Sequence, residues 1–180
     1  MRDKANSPEE ILDLVDRNDT VIGEVVRLQS DSNPYFTVRQ ASVLIYDSDN
    51  RLLLHQRSAM KKTSPLSWSV TAVGHVLKGN SPEQAAHKEL KEEAGFDVKL
   101  AFVEKEYIRY KYTSYFAYRY IGEYDGQPII MNSEEIVDIR FVDREEYSLM
   151  MELQMPITTG SRKFIENFWD HKFDSLKPKI

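Results

Sequence analysis

The sequence predicts an α+β or α/β sandwich built around a mixed β-sheet, and two observations support this prediction. Predicted strands come mostly in adjacent pairs, with one well-defined helix between the pairs and further helices toward the carboxyl end. A chain of βαβ units would instead alternate strand and helix throughout. The length of 180 residues and the hydrophobic fraction of 41% suit one domain with a substantial core.

The amino-terminal part is predicted to form a β-hairpin. Apolar segments at residues 11–15 and 21–26 flank the polar residues 17–19, which favour a turn. A short helix with Ser7 as its N-cap is the competing interpretation.

The rest of the predicted sheet consists of segments rich in β-branched, aliphatic and aromatic residues. In chain order these segments cover residues 38–46, 51–57, 68–76, 98–107, 115–124 and 136–141. Two later segments, 144–153 and 161–171, are predicted to be helical.

We expect a single domain over residues 1–180 that has three parts. These are an amino-terminal hairpin extension (1–34), a core (35–145) and carboxyl-terminal helices (146–180). A hairpin outside the core would be available to pair two copies of the chain. A homodimer is therefore one hypothesis, which a monomeric mass in solution would contradict.

The composition narrows the functional class. The 29 acidic residues outnumber the 24 Lys and Arg residues, which argues against a surface that coats nucleic acid. The chain contains no cysteine, which excludes disulfides, thiolate metal sites and cysteine nucleophiles. Its first residues lack the apolar core of a signal peptide, and the apolar run at 41–46 is too short to span a membrane. We therefore expect a cytoplasmic protein with neither nucleic acid nor a membrane as partner.

The helix between the strand pairs carries consistent boundary signals. Ser81 is its predicted N-cap, Pro82 suits the first helical position, and Gln84 completes a capping box. Gly95 ends the helix as a C-terminal cap. The apolar stripe that suits packing on a sheet consists of Ala86, Leu90 and Ala94.

A second stripe on this helix is acidic. Glu89, Glu92 and Glu93 lie three and four residues apart, so their carboxylates fall within an arc of about 100°. Like charges at this spacing oppose helix formation by about 0.2–0.5 kcal/mol per pair. A hard dication, Mg²⁺ or Mn²⁺, would relieve the repulsion and gain oxygen ligands. Taken alone, however, an acidic stripe is commonly a solvated face.

The loop before the helix changes this balance. The stretch from Gly74 to Phe96, GHVLKGNSPEQAAHKELKEEAGF, resembles the Nudix box. The residues that match this motif at its spacings are Gly74, Glu89, Leu90, Glu92, Glu93, Gly95 and Phe96. Two positions depart from it: Asn80 replaces the first glutamate and Lys88 the arginine, which usually contact each other in the family. The match outweighs the interpretation of a solvated face.

The resemblance covers about residues 35–145, since the sequence LLLHQRS at 52–58 and the later residues 134–142 are also similar to the family. It implies an α/β/α sandwich with a mixed sheet, to which the amino-terminal hairpin is added. It also implies metal-dependent hydrolysis of a diphosphate bond. The expected substrate is a small molecule, a nucleoside diphosphate-linked or related X-diphosphate compound.

The resemblance also assigns roles to individual residues. It implies Glu89 and Glu93 as ligands of Mg²⁺ or Mn²⁺, Glu92 as a ligand or base, and the Gly74 carbonyl as a further ligand. Glu135 is a second candidate base, and an ordinary acidic turn is its competing interpretation.

Cations near the site are candidates for binding the diphosphate, because its negative charge must be balanced. These are Arg57, Lys61 and Lys62, for which a solvated loop is the alternative. The tyrosines between residues 107 and 120 are expected to serve packing in the sheet, although some would suit stacking on a base.

Two other functions remain open within the same fold. The segment from Leu54 to Ser58 and the pair Gly74-His75 are similar to the corresponding sequence of isopentenyl-diphosphate isomerase. That enzyme requires a cysteine directly before the Gly-His pair, where this chain has Val73, so isomerase activity is disfavoured. The second alternative is a non-catalytic Nudix module that binds a nucleotide.

Overall fold

The computed structural model describes residues 9–176, in which strands and helices are arranged as follows. The strands are β1 (Ile11–Val15), β2 (Val21–Val26), β3 (Thr37–Tyr46), β4 (Leu52–Arg57), β5 (Trp68–Ser69), β6 (Ala72–His75), β7 (Leu100–Arg109), β8 (Ser114–Glu123) and β9 (Ile136–Val142). The helices are α1 (Arg27–Ser30), α2 (Pro82–Ala94), α3 (Arg144–Glu152) and α4 (Thr159–Trp169), followed by a 3₁₀ turn (Asp174–Leu176).

The amino-terminal hairpin is confirmed. β1 and β2 pair antiparallel, and Asp19 takes the left-handed conformation (φ 66°) in the turn between them. The Asp16 carboxylate accepts hydrogen bonds from the backbone N–H groups of Asn18 and Thr20, which stabilises this turn. Residues 11–15 are therefore a strand and not a helix, and Ser7 lies outside the described residues.

The sheet is mixed, as expected, and β3 is its central strand. β3 pairs in parallel with β8 along its whole length, from Thr37 opposite Ser114 to Tyr46 opposite Glu123. It pairs antiparallel with β1, β4 and β6, while β4 also pairs with β9 and β7 with β8.

Successive side chains of β3 point to opposite faces of the sheet. Val43 and Ile45 belong to one buried cluster with the apolar stripe of α2. Leu44 and Tyr46 belong to a second cluster with residues of α3 and α4. Helices therefore cover both faces, and the α/β/α sandwich is confirmed. Among residues 9–176 we find no helix with the length and apolar character that crossing a membrane requires.

Two local features differ from the expectation. Residues 68–76 form two strands instead of one, and Thr71, which lies between β5 and β6 in the chain, bonds through its hydroxyl to β3 and β4. This hydroxyl donates to the Leu53 carbonyl at 2.6 Å and accepts from the Ile45 N–H at 2.9 Å. The short helix α1 was also not predicted, and the Arg27 guanidinium at its start pairs with Glu10 at 2.8 Å.

Candidate active site

Helix α2 begins and ends at the predicted residues. The Ser81 hydroxyl accepts from the Gln84 N–H at 3.1 Å, and the Gln84 side-chain oxygen accepts from the Ser81 N–H at 2.8 Å. Gly95 closes the helix in the left-handed conformation (φ 81°), which glycine adopts without steric cost. These caps fix where the helix begins and ends, and packing of its apolar stripe on the sheet fixes the direction that the acidic stripe faces.

Glu89 lies directly against the backbone of β6. Its carboxyl group occupies the space beside Gly74, where a Cβ atom would be only 2.2 Å from Cδ and 2.4 Å from either oxygen. Glu89 is 5% exposed, and burial, together with the charges of Glu92 and Glu135, raises its pKa to about 7. The structure thus brings together two residues that the sequence predicted as metal ligands.

Glu93 lies deeper than Glu89, one turn further along α2. It is 3% exposed, and its Oε2 accepts a hydrogen bond from the Val73 N–H at 3.1 Å. Burial raises the pKa of Glu93 well above its usual value, and the charges of Glu89 and Glu135 act in the same direction.

His55 is a neighbour of Glu93 that the sequence did not single out. Its Nδ1 lies 4.0 Å from Glu93 Oε2 and donates to the Thr71 carbonyl at 3.1 Å. Burial lowers the pKa of His55 to about 4, so the imidazole beside Glu93 is neutral at physiological pH. A histidine that continues the apolar run 52–54 was the available signal for a buried imidazole.

Glu135 joins this group from the loop before β9. It is 8% exposed, it contacts the Lys61 ammonium group, and its charge raises the pKa values of Glu89 and Glu93. Its neighbour Glu134 is exposed. Of the two acidic residues in this loop, Glu135 is therefore the one that faces the carboxylates of α2.

The contact between positions 80 and 88 that the family motif leads us to expect is replaced by contacts within α2. The Lys88 ammonium lies 2.9 Å from Glu92 and 3.5 Å from Glu89. The Asn80 N–H bonds to the Leu77 carbonyl at 3.0 Å, and within residues 9–176 its side chain forms no hydrogen bond. Lys88 thus offsets the repulsion between two carboxylates of the helix and does not tie the helix to the preceding loop.

The donor set fits a hard divalent cation. Glu89, Glu93 and Glu135 offer carboxylate oxygens that are withdrawn from water, and burial and neighbouring negative charge raise the pKa values of Glu89 and Glu93, which a bound dication would reverse. In the described part of the chain, no three acidic or histidine side chains surround a common point as a ready-made metal cage. Three carboxylates of the site, those of Glu89, Glu92 and Glu135, instead lie within ion-pair distance of ammonium groups.

A cleft of about 400 Å³ lies on the face of the sheet covered by α4, and its lining includes Val73 and Gly74, which contact Glu93 and Glu89. Gly74, Arg57 and Lys61 line its β6 side. The Arg57 guanidinium donates to the Thr63 carbonyl at 3.1 and 3.2 Å. Burial lowers the pKa of Arg57, and the charges of Glu93 and Glu135 oppose this shift. Lys62 is exposed and does not belong to the described lining of this cleft.

On the β8 side of the cleft the sequence offered the tyrosines as possible stacking residues, but it singled out neither Arg119 nor the start of α4. Tyr110, Tyr115 and Arg119 line this side, and the start of α4 lies above them. Because β3 pairs with β6 on one side and with β8 on the other, Arg119, Ser42 and Val73 form one row across the floor. No local pattern in the sequence signals the parallel pairing that builds this row.

The protein combines an α/β/α sandwich with an acidic helix that packs against a glycine of the mixed sheet. This combination is typical of Nudix domains. The NUDIX domain model matches residues 37–168. The chain belongs to the Nudix family of hydrolases.

The relatives of this chain include named isomerases as well as Nudix hydrolases. Isopentenyl-diphosphate Delta-isomerase 2 of Photorhabdus laumondii is 34% identical over 144 residues, which are 75% of this chain and 78% of that protein. An uncharacterised Nudix hydrolase of Listeria innocua is 27% identical over 136 residues, 75% of this chain and 76% of that protein. The crystal structure of DR0079 from Deinococcus radiodurans shares the fold, with a TM-score of 0.74 at 20% identity over 88% of this chain and 98% of that one.

Proposed function

We propose that the protein hydrolyses a diphosphate bond in a nucleoside diphosphate-linked or related X-diphosphate substrate, with Mg²⁺ or Mn²⁺ as cofactor. One observation carries this proposal. Two carboxylates of one helix, Glu89 and Glu93, are buried against the backbone at Gly74 and Val73, beside a cleft lined by cations.

The metal would be held by Glu89, Glu93 and the Gly74 carbonyl, with Glu92 as a further ligand. When bound, it supplies charge neutralisation on the diphosphate and lowers the pKa of a water molecule. Hydrogen bonds from the Val73 N–H to Glu93, and the contact of Glu89 with Gly74, hold these ligands in place on the sheet.

The remaining charged residues bind substrate and move a proton. Arg57 and Lys61 bind the diphosphate oxygens, since both line the cleft. Glu135 accepts the proton of the attacking water as the new P–O bond forms and the bridging P–O bond breaks. Because Lys61 contacts Glu135, a diphosphate that draws the ammonium toward itself weakens this ion pair and makes the carboxylate a better proton acceptor. Glu92, which is paired with Lys88, is the second candidate base.

Isomerisation of isopentenyl diphosphate is the second candidate, favoured by the name of the Photorhabdus relative. Val73 stands directly before the Gly-His pair, where the resemblance to such isomerases leads us to expect a cysteine, and the sequence contains no cysteine. The Val73 side chain in the cleft presents only methyl groups, which can neither donate nor accept a proton. Hydrolysis is therefore the better-supported activity.

A substrate panel tests the proposal and separates the alternatives. The wild-type protein is incubated with nucleoside diphosphates and triphosphates, nucleotide sugars and isopentenyl diphosphate, with Mg²⁺ or with EDTA. We expect mass spectrometry to detect cleavage of at least one diphosphate with Mg²⁺ and none with EDTA. Formation of dimethylallyl diphosphate would support the isomerase instead. Equal background rates for all compounds, in the wild type and in Glu93→Gln, would indicate a binding module.

Two further expectations stay predictions. We retain the homodimer hypothesis, for which β2 offers an edge strand with Val21 and Ile22 exposed. A cytoplasmic location likewise stays a prediction from the sequence.

A further inference from the structure

We propose that the β8 side of the cleft is a pocket for a neutral, hydroxyl-bearing group X, such as a sugar ring. The proposal rests on the diphosphate hydrolase function, since the diphosphate would lie on the β6 side. Strands in a sheet are about 4.8 Å apart, so the row from Val73 through Ser42 to Arg119 spans about 10 Å. Group X would therefore extend across the sheet, away from the carboxylates of α2.

The charges on the β8 side are balanced. Arg119 is only 2% exposed, and its Nη1 donates to Glu104 at 2.5 Å and to Glu106 at 2.7 Å. Glu106 also accepts from the Lys163 ammonium at 2.6 Å. Two carboxylates therefore neutralise two cations, which leaves little attraction for a further phosphate in group X.

Hydroxyl and N–H groups are concentrated where β5 and β3 face the start of α4. The Ser161 hydroxyl bonds to the hydroxyls of Ser69 (3.1 Å) and Thr158 (2.6 Å) and accepts from the Val70 N–H at 3.1 Å. The Ser42 hydroxyl, in contrast, makes no hydrogen bond to any described residue.

The start of α4 adds donors to this set. Thr158 is its N-cap residue, and within the described chain it makes no side-chain capping bond. The N–H groups of the first turn, at Thr159 and Gly160, have no acceptor inside the helix. Sugar hydroxyls can accept from these groups and donate to Ser42. A prenyl chain would displace water from the same polar groups and would offer no hydrogen bonds in its place, which is unfavourable.

Aromatic rings complete the pocket. The ring centroids of Tyr110 and Tyr115 are 6.4 Å apart, and Tyr115 is partly buried. The Tyr115 hydroxyl lies 3.7 Å from the position of a Cβ atom on Gly160. A sugar ring has an apolar C–H face and a polar edge, and the tyrosine rings and the hydroxyl groups of this pocket complement both.

Gly160 allows the pocket to be narrowed in steps. The nearest neighbour of an added Cβ is at 3.7 Å, an ordinary contact, so Gly160→Ala fits without strain, and Gly160→Val and Gly160→Leu add progressively more volume at this position. Gly23→Val, on β2 and outside the cleft, is the matched control, because its added Cβ meets only Leu14 at 3.9 Å.

The experiment measures kcat and KM with Mg²⁺ for UDP-glucose, ADP-ribose, ATP and dimethylallyl diphosphate. We expect the wild type to prefer one of the two sugar compounds, and KM for it to rise in the order Ala, Val, Leu, by about 10- to 200-fold for the largest. Gly23→Val should match the wild type. Preference for ATP or dimethylallyl diphosphate, or equal KM values for Gly160→Leu and Gly23→Val, would overturn the inference while hydrolysis itself stands.

Absence of hydrolysis for every compound would contradict the proposed function but would still leave the pocket testable. Calorimetric binding of the same four compounds then decides. Tighter binding of a sugar compound than of dimethylallyl diphosphate, weakened by Gly160→Leu and not by Gly23→Val, supports the pocket. The opposite order, or no effect of Gly160→Leu, overturns it.

Discussion

Replacing Glu93 by glutamine is expected to lower kcat by about 10²- to 10⁴-fold, the range typical of a lost acid–base or charge-stabilising group. Glutamine keeps the shape of the side chain, and its oxygen can still accept from the Val73 N–H. What it removes is the negative charge needed to hold a divalent cation. The loss should therefore appear mainly in kcat with Mg²⁺ present.

The same substitution is expected to stabilise the metal-free protein. The pKa of Glu93 in the folded protein lies above its unfolded value of 4.5, so the buried charge opposes folding. The stability contributed by Glu93 is complete below pH 4.5 and is lost as the pH rises through the folded pKa. The gain from Glu93→Gln should thus be larger at about pH 8 than at about pH 5.

Steady-state rates, and urea unfolding in EDTA, check both parts of this prediction. Glu83→Gln is the matched control, because Glu83 is exposed in the first turn of the same helix and should leave the rate and the unfolding free energy near wild type. Wild-type kcat in Glu93→Gln would contradict the role of Glu93. A fall in activity that accompanies a fall in stability would point to a purely structural role.

Gly74→Ala is the second substitution with a large expected effect. Its methyl group would lie 2.2 Å from Cδ of Glu89, so the carboxyl group must leave its position. The displaced atoms are the end of a flexible side chain, and the fold should therefore tolerate the change. A displacement of about 1 Å in a catalytic group can cost about 10²-fold in rate, and we expect a loss of at least this size.

The measurements are kcat/KM and the thermal midpoint of unfolding. Gly23→Ala is the control, since its Cβ would meet only Leu14 at 3.9 Å. We expect both variants to unfold near the wild-type temperature, and only Gly74→Ala to lose activity. If Gly74→Ala turned over substrate at the wild-type rate, the contact between Gly74 and Glu89 would not matter for function.

Local rules made helix α2 and its acidic stripe predictable from the sequence. Ser81, Gln84 and Gly95 determine its ends through hydrogen bonds to residues at most four positions away. Rotation of 100° per residue then places Glu89 and Glu93 on one side of the helix. That Glu89 would meet Gly74 followed only from resemblance to a known motif, because the two residues belong to different elements.

The β8 side of the cleft could not be predicted in this way. Arg119 is 77 positions from Ser42 in the chain, and the two become neighbours only through the parallel pairing of β3 with β8. The family motif suggested a partner for Lys88 at position 80, but the lysine pairs with Glu92 four residues along the helix, as helical spacing alone predicts. Charge alone did not distinguish Lys61, which contacts Glu135, from the exposed Lys62.

Mn²⁺ titration followed by electron paramagnetic resonance tests the central claim most directly, because the signal of free Mn²⁺ decreases as the ion binds. The central claim is that the carboxylates beside Gly74 bind a catalytic divalent cation. We predict saturable binding to the wild-type protein and at least a ~100-fold lower affinity in the double variant Glu89→Gln/Glu93→Gln, since both proposed carboxylate ligands are removed. Equal Mn²⁺ affinity in the two proteins would contradict it.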